Sequence, residues 1–148
     1  MDWNHYRFLS VWDLPGPPAA VYGILERADD YPCWWRQVRE VTRLDSATAA
    51  TRIRSVLPYD LVVTMREHRR DPRAGVLEAV LGGDLDGWAR WTVTARGTGS
   101  RVVYEQEVEV RRRLMRALAV PGRAVFRANH ALMMRAGRRG LAARLEAV

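Results

Sequence analysis

The chain has 148 residues, of which 48% are hydrophobic and 28% charged, and its formal net charge is +7 at pH 7. This length and balance exclude a disordered or fibrous protein and predict one domain over residues 1–148, large enough to bury about two-thirds of the unfolded chain's surface. No apolar run is long enough to span a membrane, and the N-terminus lacks the basic and apolar segments of a signal peptide. A cytoplasmic location is therefore expected.

The charged residues and the cysteine argue against several kinds of partner. All 24 basic residues are arginine and are spread along the chain, whereas nucleic-acid binding favours a clustered patch. The one local cluster, residues 111–113, is interpreted as a solvated turn. A single cysteine and three scattered histidines provide no metal-binding spacing, and no phosphate-binding or dinucleotide motif occurs. Nucleic acid, metal and cofactor are therefore not expected, and Cys33, next to two tryptophans, is interpreted as a packed small apolar residue.

A strand and two short helices open the chain. Residues 6–14 alternate with a period of two, and one face of this strand is aromatic. Residues 17 and 18 are prolines suited to a first helical turn, so a helix is predicted over 19–28. A second short helix is predicted over 33–38, and its tryptophans, Trp34 and Trp35, are expected to form the lid or plug of a cavity.

The middle of the chain predicts an antiparallel meander. It shows alternating runs separated by Pro, Gly and Asp, with no sustained helical period. The predicted strands cover residues 39–45, 50–57, 60–70, 75–82, 88–96 and 101–111. With the first strand, the sheet has seven strands.

One face of this sheet is assigned to the core by parity, because successive side chains of a strand point to opposite faces. The inward set comprises Ile53, Ser55, Leu57, Leu61, Val63, Met65, Glu67, Leu77, Ala79, Leu81, Trp91, Val93, Ala95, Val102, Tyr104, Gln106, Val108 and Val110. The opposite parity is largely arginine and glutamate. The polar members Glu67, Tyr104 and Gln106 need hydrogen-bond partners if they are buried.

The last stretch, residues 121–148, predicts a long one-sided helix, preceded by a further helical turn or two over 114–120. One arc of the long helix contains Phe126, His130, Met133, Met134, Gly137 and Leu141, and the opposite side contains Arg135, Arg138, Arg139 and Ala142. Gly137 and Gly140 each cost a helix about 1 kcal/mol relative to alanine, which indicates the close approach of a neighbouring element. His130 is a polar residue within the apolar arc, and Asn129 flanks it.

Three groups of residues carry a family resemblance over essentially the whole chain: Asn129-His130 with the Met pair and glycines that follow, Tyr31-Pro32-x-Trp34-Trp35, and Leu57-Pro58-Tyr59. With the order of elements, they resemble the START-like or SRPBCC superfamily, in its bacterial polyketide cyclase/dehydrase-like branch. The resemblance implies an α+β helix-grip fold, in which a curved seven-stranded antiparallel sheet wraps the C-terminal helix, with two short helices after the first strand. It also implies a cavity for a hydrophobic molecule between sheet and helix.

The candidate site follows from this arrangement. The expected ligand-binding residues are Phe8, Trp12, Trp34, Trp35, Leu57, Met65, Leu81, Trp91, Val93, Gln106, Phe126, Asn129, Met133, Met134, Gly137 and Leu141. His130, Tyr104 and Glu67 are candidates for proton transfer, because imidazole, phenol and carboxyl groups exchange protons. The alternative for His130 is a structural residue hydrogen-bonded to the first helix or to Glu67.

Three functions stay open at this point. The leading hypothesis is binding or transport of a small hydrophobic molecule, such as a lipid or polyketide-like compound. The second is an aromatase/cyclase or dehydratase that works without a cofactor. The third is an interaction protein whose own side chains fill the cavity. Assembly as a homodimer is open under all three.

Overall fold

The computed structural model describes residues 5–54, 60–111 and 122–147. Seven strands are present: β1 His5–Leu14, β2 Val38–Arg43, β3 Thr48–Ile53, β4 Leu61–Asp71, β5 Val76–Gly83, β6 Leu85–Arg96 and β7 Gly99–Val110. Within the described residues, three helices accompany them: α1 Pro18–Leu25, α2 Tyr31–Trp34 and the long α3 Gly122–Glu146, with a 3₁₀ turn at Ala28–Asp30 before α2. The predicted α+β helix-grip fold is confirmed.

The strands form one antiparallel sheet in the order β1-β7-β6-β5-β4-β3-β2, so β1 and β2 are its edges. The pairing shifts between Val38 and Glu40 in β2 and between Glu67 and Arg69 in β4. Such bulges bend a strand and increase its twist. The sheet therefore curves, and α3 lies on its concave face.

Alternation along the strands places the core on that concave face. In β7, Val102, Gln106 and Val108 are buried, and in β1 Tyr6 and Trp12 are buried. The buried residues form two apolar clusters, one around the tryptophans of β1, α2 and β6 and the other around Phe126 and the far end of the sheet. Each cluster combines residues of the sheet with residues of α3, which fixes the helix across the curve.

The buried arc of α3 follows the predicted face. Phe126, Met134, Gly137 and Leu141 are buried, while the three predicted outward arginines are exposed. Ala142 was assigned to the outward side but is half-buried against the tryptophan cluster. A methyl group is small enough to pack at the margin of the arc, so the apolar face is wider than the periodicity indicates.

Some other predictions need correction. Helix α2 begins at Tyr31 rather than residue 33, because Pro32 fits the first turn, and it ends before Trp35, whose backbone is extended. The Cys33 side chain is exposed instead of packed. Ala95 was assigned to the inward face but is exposed, and β6 starts at Leu85, inside the predicted loop. Leu57 and the predicted turns at 114–120 lie outside the described residues.

Within the described ranges, no helix combines the length and the apolarity needed to cross a membrane.

Candidate functional site

A cavity of about 230 Å³ lies between the concave face of the sheet and α3. Its wall is mostly apolar, and all six strands from β2 to β7 contribute to it. The apolar and aromatic lining residues are Leu25, Ala28, Tyr31, Trp35, Val38, Ala47, Ala49, Ile53, Leu61, Val63, Met65, Leu77, Ala79, Leu81, Leu85, Ala89, Trp91, Tyr104, Phe126, Met133 and Met134. The cavity is therefore shaped for an apolar molecule.

Exposed charged residues on the lining mark the mouth of the cavity. Arg43 lies at the end of β2, and Arg69 and Arg70 lie near the end of β4. Arg43 forms an ion pair with Asp29 at 2.7 Å, and Arg70 forms one with Glu67 at 3.1 Å. Because these exposed pairs already balance charge, the mouth offers no excess of positive groups toward the cavity.

A polar cluster of three side chains lies on the wall of the cavity. Tyr104 and Gln106 are two residues apart on β7 and share its inward face, and His130 projects from α3. The Tyr104 hydroxyl donates to Gln106 Oε1 at 2.5 Å, and His130 Nε2 lies 3.3 Å from the same oxygen. Gln106 is only 6% exposed. The cluster therefore places hydrogen-bonding groups against an otherwise apolar space.

The protonation of this cluster follows from its burial. Burial lowers the pKa of His130 from 6.5 to about 4, so the imidazole is neutral at pH 7. Burial also raises the pKa of Tyr104, which keeps its hydroxyl protonated. The carbonyl oxygen of Gln106 only accepts, so a hydrogen bond between it and His130 requires the ring proton on Nε2 and leaves Nδ1 as an acceptor.

The His130 ring is held in place by an aromatic stack. The Phe8 ring lies 3.7 Å from it, centroid to centroid, at an interplanar angle of 11°. Phe8 also packs near Phe126 at 5.9 Å. Phe8 does not line the cavity itself, so its position behind His130 orients the imidazole.

Trp35 forms the wall of the cavity at its α2 side, and Trp34 stacks against it from behind. Trp34 and Trp35 are 7% and 4% exposed, so neither is a solvent-facing lid. Trp35 lines the cavity, and its Nε1 donates to the Met133 carbonyl oxygen at 2.9 Å. A Cβ atom at Gly137 would lie 2.6 Å from Trp35 Cε2, which confirms the close approach predicted from this glycine. The helix can therefore sit this close to α2 only without a side chain there.

The predicted site residues divide into two groups. Those that line the cavity are Trp35, Met65, Glu67, Leu81, Trp91, Tyr104, Gln106, Phe126, Asn129, His130, Met133 and Met134. Those that pack behind the wall are Phe8, Trp12, Trp34, Val93, Gly137 and Leu141. Leu57 lies outside the described residues. The second group supports the wall and does not form it.

The structure separates Glu67 from the polar cluster. Its side chain is 39% exposed and is paired with Arg70 at the mouth, so it is not the partner of His130. The partner of His130 is Gln106. A carboxylate that is solvated and paired with an arginine would lose free energy if it turned toward an apolar interior.

Other lining residues were not singled out from the sequence as ligand-binding. Tyr31, buried in α2, donates its hydroxyl to the Leu25 carbonyl oxygen at 2.5 Å and lines the cavity near the 3₁₀ turn. Thr51 and Ala49 line it from β3. Both share the parity of Ile53, so extending the inward face along β3 by one step of two residues reaches Thr51, and a second step reaches Ala49. Within the described residues, no cluster of three His, Cys, Asp or Glu side chains could hold a metal.

Known proteins with this architecture can be compared with the chain. A structure of Zhui aromatase/cyclase from Streptomyces sp. R1128 superposes with a TM-score of 0.81 at 12% identity, covering 96% of this chain and 94% of that one. A START superfamily protein from Mycobacterium smegmatis gives 0.76 at 15% identity, with 95% and 97% covered. A major latex-like protein from Panax ginseng gives 0.74 at 6% identity, with 95% and 97% covered. At these identities the likeness shows the fold alone.

The family assignment comes from the sequence itself. No curated protein shows a significant sequence match to the chain. Residues 14–136, however, match the family described as polyketide cyclase / dehydrase and lipid transport. This span runs from the end of β1 into α3, and so includes every element that lines the cavity. The chain belongs to the polyketide cyclase/dehydrase and lipid transport family, within the SRPBCC or START-like group.

Proposed function

We propose that the protein binds and carries a small hydrophobic molecule in the cavity between its sheet and α3. The observation that carries the proposal is an apolar cavity of about 230 Å³ with one polar cluster on its wall. Ligand pockets have this character, since apolar walls supply affinity and a few polar groups set orientation. An engineered apolar cavity of about 150 Å³ holds benzene, so this one suits a ligand of about two fused rings.

The same cavity argues against an interaction protein filled by its own side chains. Met133, Met134 and Trp35 are the bulky residues that could fill it, yet they stand along the wall and leave the space between them open. A ligand that fills an apolar space of this size gains van der Waals contacts with the lining atoms, which otherwise have no neighbour on the cavity side.

The second candidate is a cyclase in which the polar cluster moves protons. This candidate is favoured because an imidazole and a phenol group both contact the same acceptor oxygen at the cavity wall. A proton-transfer group works best with a pKa near the working pH. His130, with a pKa of about 4, is a weak base at pH 7, and the raised pKa of Tyr104 makes it a weak acid. The cluster is thus better suited to donating and accepting hydrogen bonds than to proton transfer.

The test compares a blocked cavity with a matched control. Ala79 lines the cavity from β5, so Ala79→Phe should fill it, whereas Val80→Phe alters the opposite face of the same strand. We expect mass spectrometry of the organic extract to find a small molecule with wild type and Val80→Phe, and none with folded Ala79→Phe. Equal recovery from all three proteins would contradict binding in the cavity.

A paired assay then separates carrier from enzyme. With the co-purifying compound, His130→Gln should retain binding with a loss of about 1–3 kcal/mol, as expected for an imperfectly replaced hydrogen bond. Selective loss of product formation, by roughly 10²–10⁴-fold with binding intact, would instead establish the cyclase.

A further inference from the structure

The two edges of the sheet differ in how they are protected against pairing with another strand. β2 has six residues, a shift in its pairing between Val38 and Glu40, and exposed charges at Glu40 and Arg43. Short length, bulges and charged side chains are features that keep an edge strand unpaired. β1 instead has ten residues and an unbroken register with β7, and Leu9 and Val11 at its centre are exposed.

The open side of β1 offers both hydrogen-bonding groups and apolar surface. Within the described residues, β1 pairs with β7 alone. An edge strand presents unpaired backbone N–H and C=O groups on its other side, and these can pair with a further strand. Leu9 and Val11 are 69% and 51% exposed, and Val103 of β7 lies beside Val11 on the same outer face. These three side chains form an apolar patch at the edge.

Charged residues flank this apolar patch in a pattern that is complementary to itself. Arg7 and Asp13 share the outer face with the patch, and each lies three residues from Ser10. A two-fold axis at Ser10 would pair two copies of β1 antiparallel. Arg7 then faces the partner's Asp13, and Leu9 faces the partner's Val11. Because a two-fold interface repeats every contact, each pair occurs twice.

The neighbouring strand extends this complementarity. Arg7 forms an ion pair with Glu107 of β7 at 2.5 Å, and Asp13 forms one with Arg101 of β7 at 2.9 Å. Across two joined edges, the signs of the charges therefore alternate over four strands. The order in this row is Glu107, Arg7, the partner's Asp13 and the partner's Arg101.

Other registers of the two strands lose this match. An axis at Leu9 places Arg7 against the partner's Val11. An axis at Val11 places Asp13 against the partner's Leu9. Each of these registers sets charged side chains against apolar ones, so the side chains of the outer face specify the axis at Ser10.

We propose that the protein forms a homodimer through antiparallel pairing of its two β1 edges, with the two-fold axis at Ser10. No described residue of β1 lines the cavity, and the mouth is marked by residues of β2 and β4, so both cavities stay accessible. An interface of one strand from each chain is at the small end of interface sizes, so the dimer should dissociate on dilution through the micromolar range. This inference goes beyond the proposed function and does not depend on it.

The experiment follows sedimentation velocity at protein concentrations from about 2 to about 200 µM, a range chosen for a small interface. The proteins are wild type, Arg7→Asp, Asp13→Arg and the control Arg39→Asp, which makes the first charge reversal at an exposed position of β2. The side chains of Arg7 and Asp13 are 79% and 50% exposed, so their reversal should preserve the fold. Thermal unfolding of each variant verifies this.

We expect wild type and Arg39→Asp to change from monomer to dimer over this concentration range. Arg7→Asp and Asp13→Arg should each self-associate at least about 10-fold more weakly, because like charges then face each other across the axis. An equimolar mixture of these two variants should form dimers again. In the mixed pair, every acidic side chain at these positions faces an arginine, and this holds only in the proposed register.

Three outcomes would overturn the proposal. If wild type stays monomeric throughout, the β1 edge is not a site for a second copy and is left to a strand of another protein. If both charge-reversal variants dimerise like wild type, the dimer uses another surface. If their mixture stays monomeric, the register is wrong. The carrier proposal stands after any of these results, because the extraction of a small molecule tests it separately.

Discussion

Replacing Gly140 by alanine tests whether α3 is packed against α2 as closely as the structure shows. A Cβ atom at Gly140 would overlap the carbonyl oxygen of Trp34, which is backbone and cannot rotate away. The helix itself would gain about 1 kcal/mol from alanine. Overpacking of this kind costs about 1–3 kcal/mol, and displacing backbone places it at the upper end. The net loss should be about 1–2 kcal/mol, which lowers Tm by roughly 2–8 °C for a chain of this size.

The matched control is Gly23→Ala in α1. A Cβ atom there would meet only the flexible end of Arg27, at 4.0 Å. The same exchange should therefore stabilise the protein by up to about 1 kcal/mol through helix propensity alone. Thermal and urea unfolding of both variants measures the difference. If Gly140→Ala is as stable as Gly23→Ala, the two helices are not in contact at this point, and the reasoning about the glycines is wrong.

Two further predictions concern the polar cluster. Gln106→Leu removes the acceptor shared by Tyr104 and His130. The free energy of unfolding, measured in urea, should fall by about 1–3 kcal/mol for each donor left unpaired. An unchanged unfolding midpoint would mean that the two groups find other partners. The second concerns pH. Because burial depresses the pKa of His130 to about 4, the unfolded chain binds the extra proton between pH 6.5 and 4. The stability that comes from burying a neutral imidazole is fully present above pH 6.5 and is lost as the pH falls toward 4, on the order of 3 kcal/mol in all. His130→Gln should remove this part of the pH dependence, and identical profiles for the two proteins would contradict the buried neutral histidine.

The order of the elements and the inward faces of the strands and of α3 could be predicted from the sequence, because they depend on local periodicity. Alternation assigned Val102, Gln106 and Val108 of β7 to the interior, and all three are buried. The 3.6-residue repeat of α3 likewise assigned Phe126 and Leu141, which pack against opposite ends of the sheet. Each of these assignments needs only the direction in which neighbouring side chains point.

The assignment of inward faces by alternation failed where a strand is irregular or is not covered by a helix. Glu67 has inward parity, but it lies at the bulge in β4 and pairs with Arg70 in solvent. Parity cannot show where a helix stops covering a sheet. Ala95 is exposed for a similar reason, since it lies near the open end of β6. The predicted boundaries of α2 differ from the observed ones, because a proline such as Pro32 fits the first turn of a helix as well as the stretch that precedes one.

The meeting of His130 with Gln106 could not be predicted from local pattern. Each residue was identified as an inward polar group, but their contact depends on how α3 is rotated and translated over the sheet. That placement is fixed by contacts remote from the cluster, such as the approach of Trp35 to Gly137.

Burial bears on both proposed roles of the polar cluster, because it changes the pKa of His130. The packing that aligns His130 against Phe8 also removes solvent from its ring, and this lowers the pKa of the imidazole to about 4. A catalytic base would need that pKa raised toward 7, either by a carboxylate beside the ring or by access to water. The neighbour that the ring has is the neutral amide of Gln106, which orients the imidazole without stabilising its charge. In the proposed function, this wall holds a ligand oxygen in a fixed position by hydrogen bonds.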